Sequence, residues 1–528
     1  MMESIMKNKE SGCTSHEDNG DNSAELLESQ TKKTKVYWTD NFSDKNANVL
    51  TAFSVLVAIA YSTAFAGWDI HPQLSFFVFS IITLGCLFIC LKNLGWLVNP
   101  KAFLWGLPII VIAAFNAIFN LAIFHYFNAI VVFMLFAFIT LGATRNEKSL
   151  YENLSYWQKI LNLIFSDITA GFALQSRTMK TFKITKNSTV VRIVFGICLA
   201  IPIGGVIFIL MLSGDQVFFA LTMNLLENIE FNFVRFLWRI VVVFIAALYF
   251  MGFLHKAKYM ETDFKEIKAG NIDQIISVSF LSVLNVLFVV FCYIQLAFLF
   301  TGGINTLPPG VVYAEYAREG FFQLLFITII NFSVLIFFVK YFGAINKIVR
   351  FMLLLLVIFT GILIASSFYR MNLYIDVFGY TPLRMMVVTF LAMESVFLLA
   401  TAYALFKPNF NIIRFYLVVG LVFFVVANVT STAFVSARLN TLWHFSESRE
   451  YVFDEHSHFL TIDSARDLIL IYESTDDQNM RRNILWSLEA MYNRHQNEPL
   501  QNWSLIKHIN MTHLSQFLGE QSVRAIDQ

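Results

Sequence analysis

Charge is scarce in this chain. Only 14% of its 528 residues are Asp, Glu, Lys or Arg, while 57% are hydrophobic and 16% aromatic, and the mean hydropathy is +0.61. A soluble globular fold of this length needs more polar surface than such a composition supplies, so a membrane protein is expected. An excess of either sign is also missing, since 38 Lys and Arg against 37 Asp and Glu leave a net charge of +1. Nucleic-acid partners require a basic domain or stripe, so none is expected. Cysteine is sparse. Cys86, Cys90, Cys198 and Cys292 fall in apolar runs and Cys13 in a polar tail, which excludes a disulfide framework and a zinc-ligand spacing. The chain also lacks a Walker-type phosphate loop, G-x-G-x-x-G, H-E-x-x-H and G-x-S-x-G, so no catalytic residue, cofactor or metal is assigned, and the balance leans against an enzyme.

What the chain does have is a succession of apolar runs. Before about residue 48 it is polar, with no apolar segment of the kind a signal peptide carries, and residues 1–48 read as a disordered tail. At roughly 20 residues per helical crossing, about eleven runs follow. They are 49–68, 74–91, 103–119, 122–142, 190–212, 234–253, 276–300, 321–342, 349–368, 383–406 and 412–434. The fold class is therefore all-α, a polytopic transmembrane bundle over 49–434. The pair within 103–142, parted only by "NL", is either two crossings or one bent hairpin. Residues 143–189 contain "YWQKILNLIFSDITAGFALQ", too interrupted to span. With Trp157, Ile160, Leu161 and Ile164 on one face, it is either an amphipathic helix on the cytoplasmic leaflet or a loop helix packed under the bundle. Residues 435–528 read as a small helical domain, with Asp463 capping "SARDLILIYES" and Thr475 with Gln478 forming a capping box.

Lys and Arg accumulate on the cytoplasmic side of short loops. With the N-terminus inside, the inside segments hold Lys32, Lys33, Lys35 and Lys45, then Lys92 and Lys101, the seven Lys and Arg from Arg145 to Lys186, the four Lys from Lys256 to Lys268, and Lys347, Arg350, Lys407 and Arg414, while the outside loops are poorer in them and "GWDIHPQL" has none. An odd span count then exports residues 435–528, which carry 13 Asp and Glu against 8 Lys and Arg. The lipid bilayer is the expected environment, the exported helical domain is a candidate site for a protein partner, and oligomeric state is undetermined.

Polar residues inside a bilayer are expensive and mark function or packing. On this topology they gather toward the outer side. Asn116 and Asn120, then His125 and Asn128, flank the outer turn of spans three and four. Arg235 and Arg239 share a face at the start of span six. Glu315, Arg318 and Glu319 form a charged lip to span eight, with Gln323 and Asn331 below it. Tyr369 and Arg370 close span nine, Arg384 opens span ten, and Asn428 lies in span eleven. Arg235, Arg239, Arg318, Arg370 and Arg384 would favour an anionic ligand if they line an outward cavity. The alternative is that they anchor helix ends while Asn and Gln join helices. Glu394 sits mid-span in "VVTFLAMESVFLLATAYALF". There a carboxylate must be protonated or paired with an arginine, and the choice lies between a proton-coupling group and a structural bond. "FDEHSHF" reads as solvated surface rather than a metal site.

"YAEYAREGFFQLLFITIIN" at 313–331, "SARLN" at 436–440 and "FLTIDSARDLILIYES" at 459–474 resemble a family of uncharacterised bacterial multi-pass membrane proteins, domain-of-unknown-function family four-one-seven-three or its close relative. The resemblance runs from about residue 50 to 475, implies a bacterial cytoplasmic membrane, and brings no activity. Three functions stay open: transport or binding of an anionic small molecule or lipid; a sensor, scaffold or assembly factor that docks partners through the C-terminal helices; and a transferase on lipid-linked substrates using Glu315, Glu319 or His125.

Overall fold

The computed structural model describes residues 44–65, 72–119, 124–145, 154–165, 233–259, 274–300, 313–341, 346–407, 409–447 and 461–526, with isolated positions between 171 and 214. Among them all regular structure is helical. The helices are α1 (Asp44–Phe65), α2 (Leu74–Asn93), α3 (Gly106–Ile118, entered through a 3-10 turn at Pro100–Trp105), α4 (Phe124–Thr144), α5 (Leu154–Ile164), α6 (Phe233–Tyr259), α7 (Gln274–Phe300) and α8 (Tyr313–Tyr341). They continue as α9 (Lys347–Phe378), α10 (Pro382–Ala404), α11 (Ile412–Thr430), α12 (Ala433–Glu447), α13 (Ala465–Ser474), α14 (Gln478–His495) and α15 (Leu505–Ile526).

Nine helical stretches among the described residues are long and apolar enough to cross a membrane. The apolar part of α8, Gln323–Val339, is shorter. The all-α polytopic bundle expected from the sequence is thus the fold. The expected span at 190–212, the tail before residue 44, the loop at 301–312 and "FDEHSHF" lie outside the described residues.

The chain divides into two compact units. One comprises residues 1–59, 89–97 and 165–261, and the other residues 60–88, 98–164 and 262–528. In the first, α6 buries Val241, Met251 and Leu254, and Tyr259 meets Trp96 edge to face at 5.7 Å.

In the second unit the ambiguous pair within 103–142 resolves into two antiparallel helices. The amides of Val98 and Asn99 both donate to Ala143 O, at 2.8 and 3.1 Å, so the entry to α3 is tied to the end of α4. Helix α5 packs back on α4. Its Tyr156 hydroxyl donates to Phe138 O at 3.1 Å, and Ile160 and Leu163 are fully buried while Leu161 and Phe165 are exposed. The buried face is rotated from the expected Trp157–Ile160–Leu161–Ile164 stripe because Tyr156 finds a backbone acceptor that periodicity does not reveal.

Helices α7 to α10 form one continuous core. On α9, Val349, Leu353, Leu356, Thr360, Leu363 and Ser367 are all buried, at alternating intervals of four and three residues. Leu324, Thr328, Asn331, Leu335 and Phe338 repeat the pattern on α8, and Leu391, Glu394, Leu398 and Thr401 on α10. This is the 3.5-residue seam along which helices interdigitate side chains over a long contact. Small or polar residues recur within it, and in lipid they allow close approach and interhelical hydrogen bonds.

Beyond α11 the chain builds a separate apolar cluster from α13, α14 and α15, centred on Ile471, Ile484, Leu488 and Leu514, all fully buried. The caps differ from expectation. Helix α13 begins from a 3-10 turn at Ile462–Ser464 without a side-chain cap, and Asp463 is buried in that turn. Asp477, rather than Thr475, caps α14 by accepting from Asn479 N at 2.8 Å. Thr475 instead accepts from the amide of Asp477, so the cap lies two residues later.

Candidate functional site

Glu394 occupies a core position of α10, one turn from Leu391 and Leu398, and is 3% exposed. Helix α8 sets Thr328 opposite, with its Oγ1 3.0 Å from Glu394 Oε1. The same Oγ1 lies 2.8 Å from Leu325 O. Glu394 Oε2 is buried with no partner, and no cation pairs with the carboxyl among the described residues. One hydroxyl carries one proton. Thr328 donates to Glu394 Oε1 or to Leu325 O, and the buried Oε2 is left to carry a proton, the uncharged state that a low-dielectric interior favours. One turn further along α8, Asn331 donates to Thr360 Oγ1 of α9 at 3.0 Å, and Thr360 passes its own proton to Leu356 O at 2.7 Å. Three helices thus present two stacked polar contacts inside an apolar seam. Thr328 and Thr360 did not stand out in the sequence, although their spacing of four from Leu324 and Leu356 was readable.

The remaining sequence-derived candidates separate into groups. Asn331 is buried beside Thr360. Gln323, two turns earlier on α8, is exposed. Glu315, Arg318 and Glu319 fall on the first turns of α8, within the helix rather than before it, but their side chains lie outside the described residues. So does the side chain of Arg235, while Arg239 on α6 is half-buried with no partner on its Nε among the described residues. Arg370 is buried on α9. Arg384 is committed to structure. Its Nη1 donates to Phe378 O and Gly379 O at 2.7 and 2.6 Å, and the guanidinium stacks 4.2 Å over Tyr374, closing the end of α9.

The cluster at the turn between α3 and α4 is held by Asn128 on α4 and Asn428 on α11. Asn128 Nδ2 donates to Asn428 Oδ1 at 2.7 Å, and both side chains are fully buried. His125 is buried on the same helix, Asn116 returns a bond to Ile112 O at 3.0 Å, and Asn120 lies outside the described residues. Around them sit Phe115, Phe124, Phe424 and Ala427.

The "SARLN" residues have structural partners. Asn440 accepts from Tyr380 N at 2.7 Å and donates to Tyr380 O at 2.8 Å, gripping the α9–α10 turn. Arg438 reaches Asp467 at 3.3 Å, joining α12 to α13. Burial pushes the Asp467 carboxyl above its usual range, and the hydrogen bond and charge of Arg438 oppose that shift. Asn510 completes the docking by donating to both Ile462 O and Asp463 O at 2.9 Å. Among the described residues no group of His, Cys, Asp and Glu is arranged to hold a metal ion.

These features define a polytopic helical membrane protein with a buried acid in its bundle, without a cation beside it among the described residues, and a helical extension beyond the last spanning helix. The chain belongs to the family described as Domain of unknown function (DUF4153), whose model matches residues 106–454, about two thirds of its length. The family number differs from the one its signature residues suggested, while membership of a family without an assigned activity stands. The match takes in "YAEYAREGFFQLLFITIIN" and "SARLN" and stops before "FLTIDSARDLILIYES". No curated protein and no solved structure matches the chain.

Proposed function

We propose that the protein is a proton-coupled transporter for an anionic small molecule or lipid, with Glu394 as the group that takes up and releases the proton. The observation that carries this reading is the Glu394 carboxyl itself, whose Oε1 meets Thr328 and whose Oε2 is buried without a partner among the described residues. A structural ion pair would have brought an arginine to it. Among the described residues its hydrogen-bond partner is the Thr328 hydroxyl and its Oε2 has none, which supports a neutral acid rather than an ion pair. The anionic cargo is proposed from the arginines that the sequence places at helix ends, of which Arg370 is buried on α9.

The orientation proposed is N-terminus inside and C-terminus outside a bacterial cytoplasmic membrane. Gln73 N donates to Gln501 O at 3.2 Å, which supports a topology with the turn before α2 and the C-terminal helices on one side of the bilayer. An even number of crossings must separate them, and the eleven-span reading supplies it.

The test is charge displacement in proteoliposomes on a solid-supported membrane after a pH step. The wild-type protein is expected to give a transient current, and Glu394→Gln, an isosteric neutral mimic, to abolish it with unchanged thermal stability. Equal currents from both would sink the reading.

A second reading is favoured by the C-terminal helices. They have their own core, in which Asn510 ties α15 to the turn before α13, and they are joined to the bundle through Arg438 and Asn440 of α12, as a partner-docking domain of a sensor or scaffold would be. Removing residues 461–528 while retaining the pH-step current would separate the two.

A further inference from the structure

Apart from the isolated Trp486 on α14, 72% exposed, the exposed large apolar side chains of the C-terminal cluster, residues 461–526, gather in one segment among the described residues. Leu500 is 73% exposed, Leu505 41% and Ile509 40%, with Trp503 half-buried between them. These residues fall in the 3-10 turn Leu500–Asn502 and the first turns of α15. Further along α15 the exposed face becomes Thr512, His513, Ser515 and Gln516, so among the described side chains the apolar exposure of this helix is confined to one end.

That end is fixed against the start of a spanning helix. Gln501 O accepts from Gln73 N at 3.2 Å and from Ser75 Oγ at 3.4 Å, and these residues flank Leu74, the first residue of α2. A helix of 20 apolar residues enters the hydrocarbon where it begins, so the turn at 500–502 stands at the bilayer boundary. From behind, the turn is held by a clip. Lys507, 7% exposed, donates to Asn502 O at 2.8 Å and to Glu498 Oε2 at 2.5 Å, and His495 Nδ1 meets Glu498 Oε1 at 2.7 Å.

The sequence agrees independently. The region from 435 onward holds 13 acids, yet residues 499–519, "PLQNWSLIKHINMTHLSQFLG", contain none. An acid-free, aromatic-bearing, partly apolar stretch is what a surface facing lipid headgroups requires. Three aliphatic side chains are also too little for a stable protein interface, which needs roughly 800 Å² from each partner. Val78 and Ile81, in the first half of α2, are exposed as well.

We propose that the C-terminal helices rest on the membrane, with Leu500, Trp503, Leu505 and Ile509 seated in the headgroup region of the leaflet where α2 begins. The occupant of this surface is lipid, and the contact depends neither on Glu394 nor on which side of the membrane is outside. It fixes the height of the C-terminal cluster above the bundle and turns the rest of α14 and α15 toward water.

The test uses the full-length cysteine-free chain in vesicles of phosphatidylethanolamine and phosphatidylglycerol, with a nitrobenzoxadiazole label on a single cysteine at position 500, 509 or 516. Doxyl-labelled lipid is expected to quench 500 and 509 at least twofold more than 516, and aqueous iodide to show the reverse order. Iodide quenching of all three alike overturns the proposal, as does shielding of 500 and 509 from both quenchers, which would mean a protein covers the patch. Should the cysteine-free chain fail to fold, a benzophenone amino acid at 500 or 516 in the otherwise wild-type protein reads the same contrast, a lipid photoadduct at the first alone supporting the proposal and equal yields overturning it.

Discussion

Single side chains carry the long-range bonds of this molecule, and their partners lie far away in sequence. Asn440 grips both the amide and the carbonyl of Tyr380. Asn440→Ala leaves two backbone groups without that partner and is expected to cost about 2 kcal/mol, read as a lower thermal midpoint in detergent. Arg438 offsets the burial of Asp467, so Arg438→Ala strands a carboxyl 5% exposed and is expected to destabilise at neutral pH, with Asp467→Asn restoring most of the loss. Glu498 behaves oppositely. Burial raises its pKa, but the hydrogen bonds and charges of His495 and Lys507 outweigh that and bring it from 4.5 to about 2. A depressed carboxylate stabilises the fold above its unfolded value, and the contribution is lost as pH falls from about 4.5 through about 2. Glu498→Gln is therefore expected to flatten the acid limb of a stability-versus-pH curve in that window while lowering stability at pH 7. An unchanged acid limb would show that the clip contributes nothing. At this scale the sequence exposed Glu394, Asn128 and Asn428 as costly residues in apolar runs, but not that Asn128 meets Asn428 or that Glu394 meets Thr328. Those pairings arise from helices brought together after long excursions of the chain.

Helices were the most legible level, because apolar length and periodicity are local. Their faces were less so. Helix α5 turned about one position from its expected face when Tyr156 found Phe138 O, and the start of α14 moved to Asp477, whose carboxylate reaches Asn479 N. Helix α9 ends at Gly379, whose φ of +72° lies in the left-handed half of conformational space. Gly379→Ala is expected to cost on the order of 1 kcal/mol or more and to weaken the Asn440 grip on the adjoining residue, visible as faster deuterium exchange around Tyr380. In the C-terminal cluster Leu488 is fully buried, so Leu488→Ala is expected to lose about 2–5 kcal/mol from that cluster. Limited proteolysis should then cut within 461–526 before it touches the spanning helices.

For the molecule as a whole, the outcome that matters is sidedness. Because Gln73 and Gln501 touch, reporters fused after residue 528 and placed between residues 66 and 71 are expected to read the same compartment, and one in the 260–273 segment the other. Opposite compartments for the first two would break the topology and the lipid-facing surface with it. From the sequence alone came the membrane, the all-helical class and the approximate count of crossings, since a spanning helix satisfies its own backbone and needs only about 20 apolar neighbours in a row. Only the tertiary structure decided which polar groups face each other, which arginine is used up closing a helix end, and where the C-terminal helices stand. Each of these is settled by the geometry between helices, where the energy of a buried hydrogen bond depends on a partner that no local pattern names.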